Sequence, residues 1–200
     1  MRAAISARLH GVTYALAGLA AGLVIALGAG QEWSIERDLY WIRGSAWCAL
    51  LALGGALCVT PLGNLLMRAG RADARDLTRV RRALGIAAAA LATLHAGLAL
   101  TTWLADAWRV SLSLTWIRSG VIAWAVLALL WLTSYPTLVA RLRVKLWKPL
   151  HRLAYVAFAL VIHHAMLSPL APRSWVLTTA VVVVMVGGLR LVRGRPRPRP

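Results

Sequence analysis

Between Val12 and Leu191 the chain is divided into six apolar runs, separated by short tracts that carry most of its charge. A run of about 20 apolar residues can cross the hydrocarbon core as a helix, where each backbone N–H and C=O has to be satisfied within the segment. This pattern predicts an all-α, polytopic membrane bundle of six transmembrane helices. The runs are 12–30, 46–66, 83–105, 117–133, 153–167 and 175–191. With 60% hydrophobic and 14% charged residues, the chain has too little polar surface to coat a soluble globule. The intervening tracts suit up-and-down connections, so residues 1–192 are expected to form one domain, followed by the basic Pro/Arg-rich tail 193–200.

The net charge of +17 does not call for a nucleic acid, because its placement alternates with the runs. In a six-span arrangement Arg2 and Arg8, the Arg68–Arg82 tract, the Arg141–Arg152 tract and the tail fall on one side. The other side holds Arg37, Arg43, Arg109, Arg118 and Arg173 beside Glu32, Glu36, Asp38 and Asp106. The positive-inside rule then predicts both termini in the cytoplasm. Trp33, Trp41, Trp103, Trp108, Trp116 and Trp175 cluster near the outer ends, as an interfacial aromatic belt does. The first run also resembles a secretory signal, but it is long for the apolar core of one and is read as a span. Cys48 and Cys58 lie about 15 Å apart along one expected helix, too far for a disulfide.

An ionisable side chain at bilayer depth marks a functional site by default, and the apolar runs hold few besides histidine. His95 stands thirteen residues beyond Arg82, about 20 Å along its helix, and His164 twelve beyond Arg152, about 18 Å along a helix of the same direction. The pair is therefore matched in depth, and two imidazoles from different helices are the axial ligands that a b-type haem takes. Gly85, Ala88 and Ala92 precede His95 on its own face and would leave room for a flat macrocycle. His163 competes with His164 for the ligand role, since adjacent helical residues cannot both face one haem. His151 lies at the inner edge, displaced around the axis by roughly 140° from His164 and roughly 120° from His163. As a ligand it would need a second haem, and at its depth the third helix offers Arg81 and Arg82; His10 is the only other histidine. Singly, each histidine can equally serve as an interhelical hydrogen-bonding group.

Several segments taken in order resemble the ferric reductase-like transmembrane family, in particular its MsrQ-like (YedZ-like) branch. They are Arg82-Ala83-Leu84-Gly85-Ile86 with Ala92-Thr93-Leu94-His95, Thr60-Pro61-Leu62, Gly120 with Leu132-Thr133-Ser134, and Trp147 with Leu150-His151-Arg152-Leu153-Ala154-Tyr155 and His164 thirteen residues on. The resemblance covers about Gly44 to Leu167 and implies a haem b subunit in which His95, His151 and His164 match the family's histidines. It further implies electrons from the quinone pool or a cytoplasmic flavin reductase, an associated FMN, and delivery to a periplasmic MsrP-like molybdoenzyme that reduces methionine sulfoxide. The chain departs from the family in having Leu114-Thr115-Trp116-Ile117-Arg118-Ser119 where a basic Arg-Pro-Tyr segment is usual, which leaves another periplasmic acceptor open.

No Gly-x-Gly-x-x-Gly follows a strand, so reducing equivalents are expected from a partner and not from a nicotinamide bound by this chain. Arg81 and Arg82, with Arg79, Arg141 and Arg143, can meet haem propionates or a flavin phosphate, or simply enforce topology. The alternative from another class is a transporter or assembly subunit with a histidine proton relay. Such a relay favours acidic partners within the membrane, and the acidic residues all fall between the runs.

Overall fold

The computed structural model describes residues 35–68, 70, 73–104, 107–135, 138 and 143–192. Among them the chain is helical without strands, in six helices: α1 (Ile35–Arg68), α2 (Ala74–Leu98), α3 (Trp108–Ser111), α4 (Thr115–Leu132), α5 (Arg143–Leu167) and α6 (Arg173–Val192). A π-helical turn, Ala99–Trp103, continues α2. Four helical stretches, Glu36–Arg68, Ala74–Trp103, Thr115–Leu132 and Leu146–Leu167, are long and apolar enough to cross a membrane, and Arg173–Leu189 is a shorter apolar helix. The run 12–30, His10, Trp33, Arg141 and the tail 193–200 lie outside the described residues.

Several helices begin earlier than the apolar runs, α2 nine residues before Ala83 and α5 ten before Leu153. α1 begins eleven residues before Ala46, because Glu36 and Asp38 in its first turn complement the positive end of the helix dipole. It also runs on through Pro61, although a proline inside a helix removes one backbone hydrogen bond. The helix ends past Arg68 at Gly70, whose φ of 67° is the left-handed geometry that closes many helices, with its N–H bonded to the Met67 carbonyl at 3.1 Å. At its far end α4 stops at Leu132, where Thr133 caps it just before Ser134-Tyr135-Pro136.

α1 packs most extensively on α2, and α4 on α5, so the bundle is two antiparallel hairpin-like pairs laid side by side. Leu50, Leu53 and Leu57 of α1 meet Ala88 and Ala89 of α2, Leu127 of α4, and Ala157 and Phe158 of α5 in one buried cluster. α6 seats on α1, where a Cβ on Gly54 would come within 3.0 Å of Val183 Cγ2. The outward faces carry large apolar side chains, among them Ile122, Val156, Val184 and Met185, as lipid contact requires. Polar glue also crosses the bundle: the Trp124 indole N–H donates to Thr93 Oγ1 at 3.1 Å. The exposed arginines Arg68, Arg75, Arg79, Arg82 and Arg152 gather at one end of the bundle, and Trp41, Trp103, Trp116 and Trp175 at the other.

α1 and α2 approach closely at Gly63, where a Cβ would collide with the Leu77 side chain, 3.0 Å even from its Cγ. Gly63→Ala should therefore lower thermal stability in detergent by about 1–3 kcal/mol of overpacking, offset by about 1 kcal/mol of helix propensity. In a Leu77→Ala background the same substitution should be neutral or stabilising. An equal loss in both backgrounds would show that this contact is not what limits the approach.

Candidate functional site

The site is assembled from one histidine on each helix pair. His95 on α2 and Ala88, which is 0% exposed, are seven residues apart, two turns along one face; His164 on α5 stands in the same relation to Ala157, also 0% exposed. Buried alanines bring the backbones together, and the larger imidazoles then project into the space between the two pairs. The rings come to 6.2 Å between centroids with their planes inclined by 72°. The depth-matched pair read from the sequence is thus one constellation in the structure.

Each ring is oriented by the partner helix of its own pair. His95 Nδ1 lies 2.9 Å from the carbonyl oxygen of Ile42 on α1, and His164 Nδ1 lies 2.7 Å from that of Trp116 on α4. A carbonyl only accepts, so both Nδ1 atoms carry the proton and both neutral rings keep the lone pair on Nε2. This is the state in which a histidine binds a metal, with its other nitrogen held by an oxygen of the fold. The Trp116 indole covers His164 as well, with centroids 5.4 Å apart and planes inclined by 36°.

Gly120 permits the approach of His164. It lies one turn beyond Trp116, and a Cβ there would stand 2.7 Å from His164 Nδ1 and 2.9 Å from Cε1. Any side chain at 120 would occupy the place of the imidazole. The small residues that precede His95 on α2 have unequal surroundings. Ala88 belongs to the packed core and Ala92 packs against it, while a Cβ on Gly85 would meet nothing within 4 Å.

His163 and His151 are separated from this pair. The His163 side chain is on the exposed side of α5 and meets Ser119 Oγ at 3.1 Å. His151, near the arginine-rich end, stacks on Trp147 with centroids 4.2 Å apart and lies near Arg81 and the Thr133 backbone. Its Nε2 and the Trp147 Nε1 are buried without a hydrogen-bond partner. Arg81 is half-buried and donates to Thr60 Oγ1 at 3.2 Å, while Arg82 is exposed. No imidazole faces His151 among the described residues. Trp116, Ser119, Gly120 and Trp147 were not recognised from the sequence as parts of the site. A glycine inside an apolar helical run, which marks close approach, was the one signal available for Gly120.

Residues 45–162 match the family described as the ferric reductase like transmembrane component. The chain belongs to this family. The matched stretch begins one turn past Ile42, includes His95, Gly120 and His151, and stops two residues short of His164. None of the curated proteins compared with the chain matches it. As a ferric reductase-like chain with several membrane-crossing helices, it is a multi-pass membrane component of electron transfer.

In this ferric reductase-like chain, Gly120→Ala should break the hydrogen bond from His164 to Trp116. In ¹⁵N spectra of histidine-labelled protein, the hydrogen-bonded Nδ1–H signal of His164 should be lost while that of His95 stays. An unchanged His164 signal would show that the ring tolerates a Cβ at 120.

Proposed function

We propose that this chain is the haem b-carrying subunit of an electron-transfer system in the bacterial inner membrane, with six spans and both termini in the cytoplasm. It takes electrons from the quinone pool or from a cytoplasmic flavin reductase and passes them to a periplasmic MsrP-like methionine sulfoxide reductase. The observation that carries this reading is the pair of Nδ1-anchored imidazoles, His95 and His164, whose centroids are 6.2 Å apart.

The residues fit the group. The two rings stand 6.2 Å apart between centroids on different helices, each with Nδ1 at a carbonyl oxygen, so that one metal centre between them could draw on a nitrogen of each. The donor set agrees, since no group of three or more His, Cys, Asp or Glu side chains able to hold a metal ion occurs among the described residues. Two neutral imidazoles are few for a bare ion and suffice when a porphyrin supplies the remaining nitrogens. When bound, the haem supplies a one-electron carrier whose potential answers to its axial ligands and to the polarity around them.

The protein's own part is to present both Nε2 lone pairs, through the Ile42 and Trp116 carbonyls, and to exclude water with the core packed around Ala88 and Ala157. At the arginine-rich end, Arg81 and Arg82 suit propionates or the phosphate of FMN, because a guanidinium offers paired donors to such anions. His151 presents a free Nε2 there with Arg81 nearby, and a second haem at this position would find no facing histidine among the described residues. The segment that departs from the MsrQ-like pattern, Leu114–Ser119, supplies the Trp116 contacts to His164. That placement favours, as a second reading, a divergent member serving a different periplasmic acceptor.

Protein purified from haem-replete cells should show a Soret band and a sharp α band on dithionite reduction. His95→Ala and His164→Ala should each abolish the six-coordinate haem, whereas His163→Ala should retain it in full. Colourless wild-type protein would overturn the haem reading in favour of a histidine relay. Oxidation of the reduced haem by an MsrP-like enzyme, but not by unrelated periplasmic proteins, would support the proposed acceptor.

A further inference from the structure

The carbonyls that hold the two imidazoles share a feature that the electron-transfer reading does not use. Each is also met by the hydroxyl of a buried serine three residues further along its own helix. On α4, Ser119 Oγ is 2.8 Å from the Trp116 oxygen, and on α1, Ser45 Oγ is 3.1 Å from the Ile42 oxygen and 2.8 Å from that of Trp41. Serines often bond back to a preceding turn, but here the oxygens reached are the two that orient His95 and His164.

The two sites are unequal. Ser45 divides its proton between two carbonyls and holds the one that matters at the longer distance. Ser119 gives its proton to Trp116, so its oxygen is left to accept from the Nδ1–H of His163 at 3.1 Å. A series results in which His163 donates to Ser119, Ser119 donates to the Trp116 oxygen, and His164 donates to that same oxygen from the other side.

We propose that Ser119, polarised by His163, sets the electron-donating strength of His164 by competing with it for the Trp116 carbonyl, and that Ser45 does the same more weakly for His95. This rests on the reading of His95 and His164 as haem ligands. Two donors on one oxygen weaken each other, and a hydroxyl that itself accepts a hydrogen bond donates more strongly. With Ser119 and His163 in place, His164 keeps a firmer hold on its Nδ1 proton and its Nε2 is the poorer donor. Without the serine hydroxyl, the carbonyl draws on the His164 proton alone, Nε2 becomes more electron-rich, and oxidised iron is favoured. His163 and Ser119 are then positioning residues that act through the peptide oxygen, which gives the two adjacent histidines different roles.

The test is a spectroelectrochemical titration of the full-length, haem-loaded protein, together with its low-temperature electron paramagnetic resonance spectrum. Ser119→Ala should lower the midpoint potential while the haem stays six-coordinate and low-spin, and Ser119→Thr, which restores a hydroxyl, should bring the potential back. His163→Ala should shift it in the same direction by less than Ser119→Ala, and Ser45→Ala should also produce a smaller fall. Unshifted or raised potentials in Ser119→Ala and His163→Ala would overturn the proposal and leave the ligand assignment standing. Loss of six-coordination in His163→Ala would overturn it by making His163 the ligand, and absence of haem from the wild type would overturn both readings. If Ser119→Ala fails to retain haem, the potential of His163→Ala decides.

Discussion

Two imidazoles each spend one ring nitrogen on the backbone of the neighbouring helix, and the arrangement of the site depends on those bonds. His95 reaches Ile42 from α2 to α1, while His164 reaches Trp116 from α5 to α4. At bilayer depth there is no water to satisfy a ring N–H, so each bond both pins a helix pair and selects the tautomer. Each pair thus carries its own anchored imidazole, and the 6.2 Å juxtaposition of His95 and His164 joins the two pairs. The chemistry and the packing share the same atoms.

Such bonds need helix backbones close enough for an imidazole to span from one to the next, and the chain achieves this by omitting side chains. Ala88 and Ala157 disappear into the core two turns before the histidines they position, and Gly120 leaves open the space that the His164 ring fills. Helix propensity argues against a glycine within α4, at about 1 kcal/mol relative to alanine. Its presence there is explained by the contact it allows, because the His164 bond to Trp116 leaves no volume for a Cβ.

At the arginine-rich end the polar groups are arranged differently. His151 has no facing imidazole among the described residues and lies instead against Trp147, near Arg81. The angular displacement between His151 and His164 already separated them into two environments. That separation is a property of one helix and can be counted along it. The identity of what faces His151 is a property of two helices, and only their packing brings Arg81, Thr60 and Thr133 around it.

The sequence by itself determined the all-helical membrane class, the approximate positions of the spans that the structure describes, and the common depth of His95 and His164. Hydropathy and rise per residue are quantities along one axis, and the bilayer leaves helices as the only way for such apolar runs to close their hydrogen bonds. Tertiary structure alone decided that His164 and not His163 turns toward His95, that Ala88 belongs to the core with Ala92 packed against it, and that α1 continues through Pro61. It alone also showed that the Trp116 and Ile42 carbonyls are shared with Ser119 and Ser45. The reason is angular: which face of a helix meets which neighbour is set by the mutual rotation of packed helices, and a chain this rich in alanine and leucine on every face leaves that rotation to the interlocking of its side chains.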